Sequence, residues 1–559
     1  MLCFLGAALF HSFHSPAEIY WKWVRDTAGT LDRSSTIIEL VRLIALAAVF
    51  CVGLILGSSD RRAQQTLRIL GVAGSLYAVF ALAQHVVWPG YVLWLPKTMF
   101  QDRLTGTVMS ANVAAGAFGV LGILMFSTID VRLFTVPGKT NRDLTFIFQY
   151  AGAAVILACL VLTASRSGAI AFAAALVFSV ILSHWKLPQS VTFGYKHWAV
   201  FIIPTALMIS LILSAQLLMS RFSEVDADWN GRRMLFELHW KAFLNAPFAG
   251  YGLGSFSALN KLLVTPASFG SLWYIHATHN VYIEWLEETG VIGAFLMFMI
   301  IGLIIFEIIR GLVMRHSMSA LLRGVLAASL LLLIQSLVDF TLQTPGVTVL
   351  WALILGLGYG VATGGQRSVD RDRTTPRRWT RSLSIWSPRI IAASAQGLAL
   401  IVLWGESGQA AMDGYPLALR SAYTQAAAVE FDAPPTAARN SRIEMDLIKG
   451  LRQGPTDPVL WLMSARLNEN RANGIAAFAR SYEVSSVDPT LMKWRSAFAS
   501  AHWDQLSPLT RDNVMSELVL FRSGWGAEPW FRSLSARYQG TAFGAALALT
   551  LATPPEPSH

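Results

Sequence analysis

The sequence is poor in charged residues and contains almost no cysteine. Asp, Glu, Lys and Arg make up 14% of its 559 residues, whereas 54% are hydrophobic, and the mean hydropathy is +0.48. This balance excludes an ordinary soluble protein. The three cysteines (Cys3, Cys51 and Cys159) lie in apolar runs, which argues against a disulfide framework and a thiolate metal site. A basic segment ahead of the first apolar stretch is also lacking, so no cleaved signal peptide is expected. We expect a polytopic membrane protein.

One polar segment stands out among the apolar runs: HATHNVYIEWLEETGVIG, from His276 to Gly293. Asn280 is placed to cap a helix, because its side chain can accept a hydrogen bond from a free backbone N–H. Gly290 is expected to end that turn, and Gly293 to let the next helix pack closely. His276 and His279 would then lie at a helix N-terminus, where the dipole favours anions.

The order His279-Asn280, nine residues, Gly290, two residues, Gly293 resembles the signature of the O-antigen ligase and polymerase superfamily. The resemblance covers roughly residues 66–362 and leaves the C-terminal third outside. It implies a glycosyltransferase of the GT-C type in the bacterial inner membrane. Such enzymes move a glycan from undecaprenyl diphosphate to an acceptor. The resemblance also implies inversion at the anomeric carbon, without a metal or another cofactor.

Apolar runs of about 20 residues, the length that crosses a bilayer, predict an all-α fold with about 11–12 transmembrane helices. They lie near residues 2–13, 36–57, 66–88, 110–127, 145–164, 167–184, 197–220, 290–312, 319–340, 346–362 and 388–405.

Basic residues concentrate in alternate loops between these runs, near residues 61–68, 132–142, 186–196 and 367–389. The positive-inside rule places those loops in the cytoplasm. The other loops would be periplasmic: about 14–34, 89–109, 165–166 and the large loop 221–289. This rule also accounts for the net charge of +10. We therefore expect membrane lipid as a partner and no nucleic acid.

The sequence divides into a transmembrane domain, residues 1–405, and a periplasmic helical domain, residues 406–559. In the second domain Asp457-Pro458 and Asp488-Pro489 recur 31 residues apart, which resembles a degenerate tetratricopeptide repeat. Such helix pairs commonly bind a protein or peptide partner, and the alternative is a plain helical cap. Because every candidate catalytic residue precedes residue 294, we expect truncation near Gly405 to leave transfer in vitro intact.

Four arginines share the predicted periplasmic side with His279: Arg103, Arg166, Arg232 and Arg233. The planar fork of arginine binds phosphate oxygens and stays charged, which predicts a diphosphate clamp. The superfamily pairs its histidine with one arginine in a Ser-Arg hairpin and one in the large loop, which favours Arg166 and one of Arg232 and Arg233. Alternatively, Arg103 and Arg166 anchor the chain at the bilayer, and one of the pair faces solvent or an acidic neighbour.

Histidine, with an ordinary pKa of about 6.5, suits general-base catalysis in a neutral compartment, so His279 is the candidate base. His276 and Asn280 would support it. His276 and His279 lack an obvious third ligand for a metal, and no metal is expected. The run AGYGLGSF (residues 249–256) lacks nucleotide-binding spacing and predicts a flexible turn.

The sequence thus predicts transfer of an undecaprenyl-diphosphate-linked glycan to an acceptor sugar hydroxyl, with ligation to lipid A–core as the leading case. A polymerase that joins lipid-linked repeat units, or a protein O-oligosaccharyltransferase, would use the same residues. A transporter of lipid-linked glycan is an alternative of a different class, because intramembrane charge would serve it equally well. A transporter does not need a histidine on a large external loop, and no inverted repeat is visible.

Overall fold

Helices dominate the structure, a computed structural model. It describes residues 16–128, 140–184, 222–315, 318–371, 394, 396–469, 471–522 and 528–552. About 75% of the chain is helical. The strands in the described residues form one short antiparallel hairpin, in which β1 (Tyr91–Val92) pairs with β2 (Leu95–Pro96). The predicted all-α fold is confirmed.

The part of the chain up to Gly405 supplies the helices of the bundle and of the large loop. In chain order they are α1 (Glu18–Trp23), α2 (Arg33–Gly57), α3 (Asp60–Val87), α4 (Ala111–Thr128), α5 (Thr140–Leu162), α6 (Arg166–His184), α7 (Phe222–Asn245), α8 (Phe256–Leu263), α9 (Phe269–Leu272), α10 (Val281–Met314), α11 (Ser319–Gln335), α12 (Pro345–Arg371) and α13 (Gln396–Gly405). A 3-10 turn, Thr341–Gln343, joins α11 to α12.

Among the described residues, five helices are long and apolar enough to cross a membrane, namely Arg33–Gly57, Asp60–Val87, Arg166–Ser183, Val281–Met314 and Pro345–Gly364. Shorter apolar helices are Ala111–Ser127, Phe148–Leu162, Ser319–Gln335 and Gln396–Gly405. These helices coincide with the predicted spans, except for 2–13 and 197–220, which lie outside the described residues. The chain is a membrane protein, and the full number of spans stays a prediction.

Glycines bring α2 and α12 into backbone contact. A Cβ on Gly53 would lie 2.3 Å from the carbonyl oxygen of Leu353, and a Cβ on Gly356 would lie 2.0 Å from that of Phe50. Gly57 and Gly360, one turn further along each helix, are equally crowded. Small residues spaced in this way let helices pack closely where no aqueous hydrophobic effect drives them together.

The loops of the bundle separate into two groups at its two ends. At one end Arg315 donates to the carboxylate of Asp60 at 2.9 Å. At the other end the N–H of Leu31 donates to the carbonyl of Tyr251 at 2.8 Å. The second group includes the four loops predicted to be periplasmic. Which end faces the periplasm stays a prediction.

The C-terminal part of the chain continues as antiparallel helices. They are α14 (Gly408–Met412), α15 (Arg420–Asp432), α16 (Ala437–Leu451), α17 (Pro458–Leu467), α18 (Ala472–Val484), α19 (Met492–His502), α20 (Pro508–Phe521), α21 (Glu528–Arg537) and α22 (Ala542–Ala552), with a 3-10 turn at Trp503–Gln505. Helix α15 packs on α16, and α17 on α18. The helical character of the described residues after 405 agrees with the sequence, and the likeness to tetratricopeptide repeats stays a prediction.

These C-terminal helices share one hydrophobic core with the large loop. Leu235, Val264 and Phe269 of the loop belong to the same buried cluster as Trp461 and Phe521. The ring of Phe269 meets that of Phe521 edge-on at 5.1 Å. The C-terminal domain is therefore packed against the loop that carries the candidate site.

A partly buried ion pair makes a second attachment. Asp32 is 1% exposed, caps α2 by accepting from the N–H of Ser35 at 3.1 Å, and also pairs with Arg420. Arg420 in turn reaches Asp457, the N-cap of α17, at 3.2 Å. Two attachments thus tie the C-terminal helices to the rest of the chain, and the expectation that truncation near Gly405 leaves transfer in vitro largely intact stays a prediction.

We predict that truncation after Gly405 loosens the large loop, because each large apolar side chain that becomes exposed loses about 1.5–3 kcal/mol. Phe521→Ala is the milder test and should cost about 3–5 kcal/mol. Limited proteolysis in membranes should cleave residues 222–280 faster in both variants. Leu509→Ala is the control, because Leu509 is 71% exposed. An unchanged cleavage rate in the truncated protein would show that the loop is stable alone.

The predicted orientation is tested by labelling single cysteines in a chain that lacks Cys3, Cys51 and Cys159. Arg233→Cys and Asn440→Cys introduce exposed thiols at one end of the bundle, and Arg61→Cys introduces one at the other. An impermeant thiol reagent added outside the inner membrane should label the first two and not the third. Labelling at position 61 alone would show that the orientation is the reverse of the predicted one.

Candidate functional site

The histidine segment begins with a helix cap. Asn280 is the N-cap of α10, and its side-chain oxygen accepts from the N–H groups of Tyr282 at 3.0 Å and Ile283 at 3.1 Å, as predicted. Glu284 reaches back to accept from the N–H of Thr278 at 2.9 Å, and Gln343 donates to the same carboxylate oxygen at 2.5 Å. The start of α10 is therefore fixed on both sides of His279.

His279 itself has a left-handed backbone, with φ of 56°. This conformation is uncommon for a residue other than glycine and is often found at functional sites. Its Nδ1 lies 3.0 Å from the carbonyl oxygen of Ala277, and its ring meets Phe340 edge-on at 4.9 Å. Because a carbonyl only accepts, the neutral ring carries its proton on Nδ1 and its lone pair on Nε2. Nε2 is then the atom able to take a proton.

Gly290 divides α10 into a half-helix, residues 281–289, and a long apolar helix. Its φ and ψ are 63° and −176°, and a Cβ there would lie 2.0 Å from the carbonyl oxygen of Phe248. The prediction that Gly290 ends the first turn is confirmed. The atoms nearest the missing side chain of Gly293 belong to Thr289 of the same helix, and its role in close helix packing stays a prediction.

The glycine-rich run wraps around the end of the half-helix. The N–H of Tyr251 donates to the carbonyl of Glu287 at 2.9 Å, that of Gly252 to the carbonyl of Glu288 at 2.8 Å, and that of Phe256 to the Glu288 carboxylate at 3.1 Å. Three glycines here have positive φ, namely Gly250, Gly252 and Gly254, and a Cβ on each would clash. The run is thus a closely packed clamp and not the flexible turn that the sequence suggested.

A polar segment, residues 335–343, forms the floor beneath His279. Gln335, Ser336, Asp339 and Thr341 are all 0% exposed. The apolar span predicted at 319–340 includes most of this segment, but α11 ends at Gln335. The signal was available, since polar residues inside an apolar run are expensive in a membrane and are commonly functional.

Backbone carbonyls of this polar segment hold the histidine loop. The carbonyl of Ser336 accepts from the N–H of Val281 at 3.1 Å, and that of Leu337 accepts from the side-chain amide of Asn280 at 3.0 Å. The next carbonyl, of Val338, accepts from Arg232 at 3.4 Å. Consecutive carbonyls therefore place Arg232 beside Asn280.

The two arginines of the large loop have different surroundings. Arg232 is partly buried and contacts the polar segment. Arg233 is 69% exposed and forms a 2.8 Å ion pair with Glu237, one turn along α7. Arg232 is therefore the candidate for the site, and Arg233 matches the alternative of an arginine paired with an acidic neighbour.

Arg166 and Arg103 lie on the same end of the bundle, both exposed. Arg166 begins α6, which starts against α4, since a Cβ on Gly168 would lie 2.4 Å from the Cβ of Ala115. The N–H of Leu104, next to Arg103, donates to the carbonyl of Leu162 at 2.9 Å. The segment that contains Arg103 is therefore hydrogen-bonded to the end of α5, just before the hairpin of Arg166.

The first turns of α4 connect these arginines to the histidine. The side chain of Gln335 donates to the carbonyl of Asn112 at 2.6 Å, and a Cβ on Gly116 would lie 2.6 Å from the side chain of Thr341. Helix α4 therefore contacts the hairpin of Arg166 on one side and the polar segment on the other. The polar segment in turn contacts the histidine loop and Arg232, and the roles of His279, Arg166 and Arg232 in binding stay predictions.

His276 is exposed. Among the described residues no group of three or more His, Cys, Asp or Glu side chains is placed to hold a metal ion. Metal independence stays a prediction that rests on the resemblance.

Residues 151–298 match the family model of the O-antigen ligases. The chain carries an O-antigen ligase domain. This match confirms the superfamily recognised from the sequence, and it covers α6, the large loop, His279 and Gly290. No curated protein and no solved structure matches the chain.

We predict that His279→Ala abolishes transfer while the protein still inserts and folds, since loss of a general base typically costs about 10²–10⁴ in rate. His276→Ala is the matched control and should stay within a few-fold of the wild type, because that side chain is exposed. Initial rates of glycan transfer by purified protein, at equal folded amounts, decide the outcome. Wild-type activity of His279→Ala would remove this residue from the mechanism.

Proposed function

We propose that this O-antigen ligase domain transfers a glycan from undecaprenyl diphosphate to an acceptor sugar, with lipid A–core as the acceptor. One observation carries the proposal most directly. The polar segment holds the candidate base and a candidate phosphate-binding arginine next to each other, through the rings of His279 and Phe340 and the Arg232–Val338 contact. A base beside a cation is what displacement of a diphosphate by a hydroxyl requires.

In the proposed reaction the acceptor hydroxyl oxygen forms a bond to the anomeric carbon as the bond from that carbon to the diphosphate oxygen breaks. Nε2 of His279 takes the hydroxyl proton. The lone pair is on Nε2 because Nδ1 donates to Ala277. The electron pair of the broken bond stays on undecaprenyl diphosphate, which leaves, and the anomeric configuration is inverted.

Arginines stabilise the charge that develops on the departing diphosphate. Fixed positive groups aimed at developing charge are commonly the largest contribution to catalysis. Arg166 and Arg232 are the two that we assign to this role. The position of Arg103 beside the Arg166 hairpin suits a contact further along the carrier, and Arg233 is assigned none.

The site would lie on the periplasmic side of the bacterial inner membrane. Polymerisation of lipid-linked repeat units and protein O-glycosylation use the same base and cations, and the acceptor separates them. Purified protein supplied with one lipid-linked glycan and lipid A–core should form the ligated product. Formation of longer lipid-linked chains from two lipid-linked substrates would make it a polymerase. Movement of the glycan across the bilayer without any transfer product would show that the protein is a transporter.

We predict that Arg232→Ala lowers the rate of transfer at least tenfold, whereas Arg233→Ala changes it less than about twofold, since an exposed ion pair contributes about 0.2–1 kcal/mol. Arg166→Lys should fail nearly as badly as Arg166→Ala, because lysine keeps the charge but loses the planar fork. Rates and donor KM are measured together for all four variants. Full activity of Arg166→Lys would favour a bilayer anchor over a phosphate contact.

A further inference from the structure

A second histidine, His239, lies buried close to the site and has no part in the proposed reaction. Its Nδ1 is 2.6 Å from the carboxylate of Glu287, and both side chains are 0% exposed. The ring of Phe256 packs over it at 4.8 Å. Burial lowers the pKa of His239 to about 4, so the ring is neutral at neutral pH and the contact is a hydrogen bond that shares one proton.

Asn260 extends this contact toward the histidine segment. It is 3% exposed and lies one turn along α8 from Phe256, the residue whose ring packs over His239. The amide nitrogen of Asn260 donates to the carbonyls of Leu272 at 3.0 Å and Ile275 at 3.3 Å. These carbonyls lie in the backbone that leads directly into His276 and His279.

Each end of the cluster connects to a residue of the proposed site at a helical spacing. Arg232 precedes His239 by seven residues on α7, and Asn280 precedes Glu287 by seven residues on α10. Seven residues are about two turns of helix, which puts each pair on one face. The cluster therefore joins three parts of the chain: the helix of Arg232, the half-helix that begins at Asn280, and the backbone before His279.

We propose that His239, Glu287 and Asn260 form a positioning cluster that holds Arg232 in register with His279. None of the three touches the reacting atoms. The cluster fixes α7 against the half-helix, and it keeps the Arg232 contact with Val338 beside the Asn280 contact with Leu337. The inference rests on the proposed function, because it gives the cluster a purpose only if Arg232 and His279 act together.

Three substitutions test the cluster. His239→Phe keeps the ring against Phe256 and removes both nitrogens, Glu287→Leu removes the carboxylate, and Glu287→Gln keeps a polar group of the same size. We expect a fall in kcat of about 10–10²-fold for the first two, because small misplacement of catalytic groups is costly. Donor KM should change less than kcat, and Glu287→Gln should restore most of the rate. Asn260→Leu gives the same test from the other end of the cluster if His239→Phe does not accumulate.

A double-mutant cycle shows whether the effect passes through Arg232. In an Arg232→Ala background, His239→Phe should lower the remaining rate less than about twofold, since coupled residues are not additive. Full additivity would overturn the proposal and leave a general packing role. Tyr482→Phe is the matched control, because it removes a buried hydrogen bond of 2.8 Å to Glu517 in the C-terminal domain. It should leave kcat unchanged.

A readout independent of activity separates this inference from the proposed function. Spin labels at the exposed positions 233 and 271, in a chain without native cysteines, report the distance between α7 and α9, the short helix just before the histidine segment. The distance distribution should be narrow in the wild type, broad in His239→Phe and narrow in His279→Ala. A narrow distribution in His239→Phe contradicts the positioning role even if transfer is lost. A broad one in a protein with wild-type kcat would also overturn it.

Discussion

The early end of α11 is the constraint on which the site depends. Backbone carbonyls that follow the end of a helix have no partner within that helix, and at membrane depth each must be satisfied by protein. Here the carbonyls of Ser336, Leu337 and Val338 accept from Val281, Asn280 and Arg232. The start of α10 and one face of α7 therefore both contact the backbone of residues 336–338. The backbone just beyond α11 therefore holds the histidine segment, so the position of this segment is set by backbone groups as well as by its own residues.

Local features of this site were predictable from the sequence, because they depend on residues close together in the chain. Asn280 and the helix that it caps, and the break at Gly290, follow from spacing alone. The flexible turn predicted for the glycine-rich run was wrong, since its three glycines are required by contacts with Glu287, with Thr30 and with α2, which are remote in sequence. The choice between Arg232 and Arg233 was also beyond the sequence, because adjacent residues on a helix point about 100° apart and only the position of Val338 decides between them.

Most apolar spans were likewise recognised from composition, and the boundary at Gln335 was not. Hydropathy averages over a window, so three buried polar side chains within an apolar run (Gln335, Ser336 and Asp339) are counted as part of the span. Their cost in a membrane is what makes them informative. The same averaging concealed the relation of the C-terminal domain to the rest of the chain. By composition, Leu235 and Phe269 are ordinary loop residues. In the structure they belong to a hydrophobic core that is otherwise formed largely by residues after 420.

The use of arginine at position 232 follows from this geometry. Its guanidinium has five N–H donors in a planar fork, and one of them is directed to the Val338 carbonyl. The fork allows one side chain to bind a carbonyl and a phosphate oxygen at the same time, in fixed relative directions. A lysine ammonium would supply the charge from a flexible stem without fixing its direction. A cation tied to a helix end in this way keeps its orientation when the substrate is absent. Such preorganisation is what makes a fixed charge effective against charge that develops only in the transition state.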